Sequence, residues 1–323
     1  MITPEILREC KISPRPWGQV WWAQVVRLNY WLPPKINVII EGMENIPTDR
    51  PVCFAMNHTD RYNCWPFQVR MLQERNQFAI TWVKAKYYQN IVVRSFLTAT
   101  SNIPLASRGY VIANQFKKSV GRSISQEEYR FIRDLLDQKQ ELNQDSLLST
   151  SSECRQFLSP SPAKQLQEIE ENFTLLSKEV LTLNRKALDL GHHILVFPQG
   201  TRSKRLLPGH TGIAQMTQAL GLDIIPIGCM GSDLCYPKAS PWAKSGTIHY
   251  RVGKLIPLDG EQLGPYQCKS DFIPFSKGAQ LEFGENFRAI TDIIMNEINN
   301  LLDEPYQFST NQVERQTDIK RFL

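Results

Sequence analysis

Apolar and polar positions along this chain follow two rhythms: short apolar runs of strand length, and longer stretches repeating every three or four residues. In residues 16–34, PWGQVWWAQVVRLNYWLPP, the residues Trp17, Trp21, Val25, Leu28 and Leu32 fall on one helical stripe. Gln19 and Arg27 lie off it, Gln24 sits at its edge, and Pro33-Pro34 ends the helix. Four tryptophans in 15 residues suit either packing on a core or the membrane–water boundary. INVIIEG (36–42), VCFAMNH (52–58) and FAITWVKA (78–85) read as strands, and a fourth is expected within 95–108. From about 125 to 190 the spacing is helical, interrupted by a Ser- and Pro-rich stretch (146–163) that reads as a loop. HHILVFPQGTRSK (192–204) returns to a strand and a sharp polar turn, and 212–229 reads as helix, Gly stop and strand. A strand pair or sheet edge follows at 246–258, and Phe287, Ile290, Ile294, Ile298 and Leu301 mark a last amphipathic helix. Strand-then-helix alternation predicts an α/β fold with chemistry at the carboxyl ends of strands, where Asn57-His58 and Pro198 to Arg202 supply polar clusters.

Composition narrows the class. Hydrophobic residues make up 42% of the 323, enough for a sizeable core and too much for disorder. Thirty-seven Lys and Arg against 32 Asp and Glu give +5, too thin a basic excess to argue for nucleic acid. The excess is uneven: residues 126–190 hold 12 acidic and eight basic residues, so they carry −4 and the remainder carries +9. Seven scattered cysteines without C-x-x-C spacing read as reduced thiols of a cytosolic protein, with no metal site. Met1 to Arg15 lacks an apolar signal core, and no run of 18 apolar residues exists. The expected location is cytoplasmic, with peripheral membrane association through the aromatic helix. No internal repeat stands out.

The chemistry-bearing residues come in order. NHTDRYN places His58 just after a buried strand, where an imidazole can serve as a base near neutral pH, provided its second nitrogen has a partner such as Asp60 or Asn63. NIPLASR ends an apolar stretch on Arg108, FPQGTRS spans Phe197 to Ser203, and IIPIG surrounds Pro226. In this order the four blocks resemble those of the glycerolipid acyltransferases, the lysophosphatidic acid acyltransferases, over roughly residues 36–300. The resemblance implies a mixed central sheet flanked by helices, with an N-terminal aromatic helix at 1–35, an acyltransferase-like domain at 36–302 and a polar, frayed tail at 303–323. The separation of Arg108 from Phe197 makes the helical segment at about 125–190 an insertion. It further implies transfer of an acyl chain from a thioester, acyl-CoA or acyl-carrier protein, to the hydroxyl of a lysophospholipid, with no metal and no cofactor beyond that co-substrate. His58 would be the general base. Arg108 and Arg202 would clamp the acceptor phosphate, because guanidinium forks match its oxygens. Gly200 permits the turn that aims backbone N–H groups at an anion, and Thr201 and Ser203 add donors. Lys204 and Arg205 add a looser positive field.

Two positions depart from the family pattern. Asn63 stands where the first block has Asp, and Gln199 where the third has Glu. Each swap keeps shape and removes a negative charge. An Asn oxygen can still hold the imidazole but cannot stabilise imidazolium, and the equivalent exchange in a serine protease costs about 10⁴ in rate. Asp60 either supplies the missing charge or caps the following helix. Gln199 belongs to the acceptor-binding block, so its change suggests a different acceptor. A catalytically weak relative that binds lipid or a protein partner is the alternative function. His192 and His193 read as turn or surface residues, His249 as packed, Arg61 as solvated, and His210 as a candidate neighbour of the phosphate. A G-x-S-x-G elbow, which a serine hydrolase would need, is absent.

Overall fold

The computed structural model describes residues 2–33, 35–238 and 240–310, so Pro34 and the tail beyond 310 lie outside the described residues. Along the chain run α1 (Pro4–Glu9), α2 (Trp17–Trp31), β1 (Ile36–Glu41), β2 (Cys53–Met56), α3 (Trp65–Arg75), β3 (Ala79–Lys84), α4 (Ile91–Ala99) and β4 (Ile103–Leu105). Helices α5 (Arg108–Val120), α6 (Gln126–Leu136), α7 (Gln144–Leu148), α8 (Ser152–Leu158) and α9 (Pro162–Asp189) follow. The chain closes with β5 (His193–Val196), α10 (Gly212–Leu220), β6 (Ile224–Met230), α11 (Ser232–Cys235), β7 (Gly246–Val252) and α12 (Lys277–Asn300).

The fold is mixed α/β: one seven-stranded sheet in the order β1-β7-β6-β2-β5-β3-β4, flanked by helices. Strands β6, β2, β5 and β3 are mutually parallel, whereas β7 runs antiparallel to β6 and carries β1 parallel to itself. CFAM, HILV and IIPIGCM are buried at every position, as parallel strands covered on both faces must be. Phe54, Phe67, Met71, Ile225 and Tyr250 centre the core. Because β2, β5 and β6 are parallel neighbours in register, the loops that leave their carboxyl ends emerge at one edge of the sheet.

The chain divides into two compact units. One contains the residues up to Cys10, Val83–Ser95 and Pro104–Val180; the other contains Lys11–Trp82, Phe96–Ile103 and the residues from Leu181 on. In the first unit the Ser-rich stretch is helical, contrary to the loop expected there. Its polar residues are caps: Asn143 accepts from the Ser146 N–H and Ser151 from the Cys154 N–H, which starts α7 and α8.

In the second unit, α2 turns its sequence-evident stripe outward. Trp17, Trp21, Leu28 and Leu32 are 66%, 57%, 42% and 57% exposed. The opposite side does the packing, with Ala23 and Val26 buried against Val69, Trp65 and Leu72. Both sides of this helix are apolar, so periodicity could not separate them. The smaller side chains let the backbones approach more closely and won the interior.

Candidate functional site

Three strand-end loops build the site. Asn57, at the end of β2, is fully buried and pairs with β6 in both directions. Its Nδ2 donates to the Cys229 carbonyl at 2.9 Å, and its Oδ1 accepts from the Cys229 N–H at 2.7 Å. His58 comes next and is laced to the loop after β5. Its N–H donates to Gln199 Oε1 at 2.8 Å, its carbonyl accepts from the Ser203 N–H at 2.9 Å, and its ring stacks on Phe197 at 4.1 Å.

His58 Nδ1 lies 3.2 Å from Asn63 Oδ1. The other end of that amide fixes its orientation, since Nδ2 donates to the Asn57 carbonyl at 2.7 Å. The amide oxygen therefore faces the imidazole, Nδ1 carries the proton, and Nε2 is the basic nitrogen. The Tyr250 hydroxyl, donating to the Asn63 carbonyl at 2.7 Å, braces the same turn from β7. Asp60 serves the turn: Oδ1 accepts from the Tyr62 N–H at 2.7 Å and Oδ2 from the Thr59 hydroxyl at 2.9 Å. Burial raises its carboxyl above the usual range despite those bonds.

Gln199 is buried completely, and while its Oε1 holds the His58 backbone, its Nε2 has no hydrogen-bond partner among the described residues. Gly200 has φ +62, and a Cβ there would come within 2.9 Å of the His210 ring, so the turn demands glycine. His210 thus packs against the turn of the third block.

Beside these loops opens a cleft of about 500 Å³, lined by Thr59, Asp60, Arg61, Thr201, Arg202, Asp233, Tyr236, Pro237 and Lys238. Arg61, Arg202 and Lys238 have no ion-pair or hydrogen-bond partner among the described residues. These three cations share the cleft with the carboxylates of Asp60 and Asp233, which leaves it with an excess of positive charge. Lys238 and Asp233 were not singled out from the sequence: Asp233 lies in α11 and Lys238 just after it, 30 and 35 residues beyond the end of the FPQGTRS block at Ser203 and without a motif. Lys204 stands over the Tyr306 ring and Arg205 pairs with Glu304, so these two do other work.

Arg108 belongs to the other unit. It opens α5, and its guanidinium contacts Asp137 at 2.5 Å and Glu170 at 3.3 Å, with the Phe173 ring beneath it. Two residues expected at a turn or the surface are buried. His192 sits 2.8 Å from the Ser13 carbonyl, and His193, the first residue of β5, accepts from the Val52 N–H and lies on Phe54. His193 opens a strand that lies inside the sheet between β2 and β3, and burial lowers both imidazoles. His249 lies on β7, 3.0 Å from Glu41.

A partly buried histidine at a strand end, beside a cleft lined by Arg61, Arg202 and Lys238, forms the candidate site. Residues 168–230, which include the FPQGTRS and IIPIG blocks, match the Acyltransferase family model. Together with the ordered blocks, that match makes this segment of the chain acyltransferase-like. No curated protein matches the sequence. Among solved structures, the 1-acyl-sn-glycerophosphate (LPA) acyltransferase PlsC of Thermotoga maritima is similar at 13% identity and a TM-score of 0.41, covering 90% of this chain and 77% of that one.

Proposed function

We propose that this acyltransferase moves an acyl chain from a thioester, acyl-CoA or acyl-carrier protein, to the hydroxyl of a lysophospholipid. One observation carries the reading: His58, its tautomer set by Asn63, adjoins a cleft bearing the unpaired Arg61, Arg202 and Lys238. Nε2 of His58 takes the proton from the acceptor hydroxyl as its oxygen attacks the thioester carbonyl; the C–O bond forms, the C–S bond breaks, and the thiolate leaves. The cations hold the acceptor phosphate so that the hydroxyl is presented in one orientation. Asn63 contributes orientation without charge, so the imidazolium is stabilised less than beside a carboxylate.

No helix among the described residues is long and apolar enough to cross a membrane. The exposed Trp17 and Trp21 on α2, together with the exposed Leu234 and Trp242 near the cleft loops, support attachment at a membrane surface, where the acceptor resides.

The test is thiol release by the purified full chain given acyl-CoA or acyl-acyl-carrier protein and lysophosphatidic acid or another lysophospholipid. His58→Ala is expected to lower the rate by about 10²–10⁴, the usual worth of a general base. Wild-type release no faster than that of the variant would reject turnover. The missing charge at Asn63 favours one second reading, lipid binding with little chemistry, and retained lysophospholipid binding in that outcome would decide for it.

A further inference from the structure

The cleft carries carboxylates as well as cations, and the acyl-transfer reading uses only the cations. Asp60 has both oxygens engaged in its own turn. Asp233 does not. Gly231, at φ +79, can only be glycine because a Cβ would meet the Thr247 carbonyl oxygen at 2.2 Å, and this turn delivers Asp233 to the cleft wall.

A distant segment then fixes it. The Tyr306 hydroxyl donates to Asp233 Oδ1 at 2.8 Å and accepts from the Gly231 N–H at 3.0 Å. Burial and the carboxylate beside it raise the phenol, so it stays a donor. Tyr306 is held in turn: its carbonyl accepts from the Leu206 N–H, Glu304 pairs with Arg205, and Asp303 with Arg251. Asp233 forms no ion pair among the described residues, and its Oδ2 has no hydrogen-bond partner there.

A fixed carboxylate beside a phosphate site is repulsive to a bare phosphate monoester. It becomes favourable when the same ligand also presents a hydrogen-bond donor or a positive charge. We propose that the cleft selects a dipolar acceptor headgroup, a phosphodiester whose substituent carries hydroxyl or ammonium donors. Arg61, Arg202 and Lys238 take its phosphate, Asp233 Oδ2 accepts from its donor, and Tyr306 is a positioning residue that aims the carboxylate. The inference rests on the reading of this cleft as the acceptor site.

Calorimetric titration of the full chain with three soluble headgroups tests it: glycerol phosphate, glycerophosphoethanolamine and glycerophosphoglycerol. The wild type is expected to bind one or both diesters more tightly than the monoester, and which diester binds separates ammonium from hydroxyl recognition. Asp233→Asn, isosteric and on a partly exposed residue, should weaken the preferred diester by about tenfold, the worth of a hydrogen bond to a charged group. It should leave the monoester unchanged or tighter. Tyr306→Phe should move the diester the same way by less, with melting temperatures showing that both variants fold. A monoester preference in the wild type, equal weakening of all three ligands by Asp233→Asn, or no headgroup binding at all would each overturn the proposal. Thiol release separates the two readings. Headgroup discrimination without thiol release rejects acyl transfer alone, and thiol release without discrimination rejects this inference alone.

Discussion

At Asn63 the amide does two jobs that a carboxylate could not do together. Its oxygen faces His58 Nδ1 and its nitrogen donates to the Asn57 carbonyl, with Asn63 itself fully buried. Asn63→Asp would set an oxygen against that carbonyl. The new acid must then either protonate, becoming an electrical copy of Asn, or stay ionised with a buried oxygen unpaired, at a cost of about 1–3 kcal/mol or more. The substitution should therefore lower the melting temperature, and the thiol-release rate rises only where the new acid stays ionised. A faster enzyme of unchanged stability would show that the turn accepts the family carboxylate after all. Gln199 follows the same logic, because its Oε1 already makes the bond to the His58 N–H that a Glu oxygen would make. Residues of this kind were legible in the sequence since NHTDRYN and FPQGTRS each gather their groups on one strand-end turn. Lys238, Asp233 and Tyr306 were not, because they meet the cleft only through the folding of three separate segments.

Helix α2 shows what periodicity can and cannot decide at the level of an element. The stripe through Trp17, Trp21, Leu28 and Leu32 was visible, yet the side that packs is the one with Ala23, Val26 and the buried Asn29. Asn29 links α2 to the loop after α11, donating to the Pro241 carbonyl and accepting from the Ala243 N–H. A polar residue holding the interior face is opposite to what an amphipathic pattern implies. The exposed rings predict a membrane contact that can be measured. Trp17→Ser with Trp21→Ser should reduce co-sedimentation with anionic phospholipid vesicles by on the order of tenfold, given the apolar area withdrawn. Stability should change by no more than about 0.5 kcal/mol per site, as for surface positions generally. Unchanged sedimentation would assign this face to a different role. The strands were easier to read than the helices of the first unit, because continuous apolar runs such as IIPIGCM have few alternatives, whereas capping serines look like loop residues until the helix behind them is seen.

For the molecule as a whole, acid stability should differ between its two units. His193 lies at the start of β5, buried and neutral, with burial foremost and then Arg75 and His192 holding its pKa down to about 4 from the ordinary 6.5. Between those values the unfolded chain binds a proton that the folded chain refuses, so stability falls as the pH drops from 6.5 towards 4. For a group this buried the loss is on the order of 3 kcal/mol. Glu128, in the other unit, is held down to about 2 from 4.5, chiefly by the hydrogen bond from Arg122, and it also closes the capping box of α6. Its contribution is complete above 4.5 and is lost as the pH falls towards 2. The seven tryptophans all belong to segments of the sheet unit, so their fluorescence reports that unit selectively. Thermal unfolding followed by tryptophan emission should weaken between pH 6.5 and 4, and His193→Asn should flatten that limb even though it lowers stability at neutral pH. Glu128→Gln should leave the tryptophan limb in place and remove acid sensitivity below pH 4.5 from the helical signal in circular dichroism. A tryptophan limb that keeps its slope in His193→Asn would move the acid sensitivity of the sheet unit to another group.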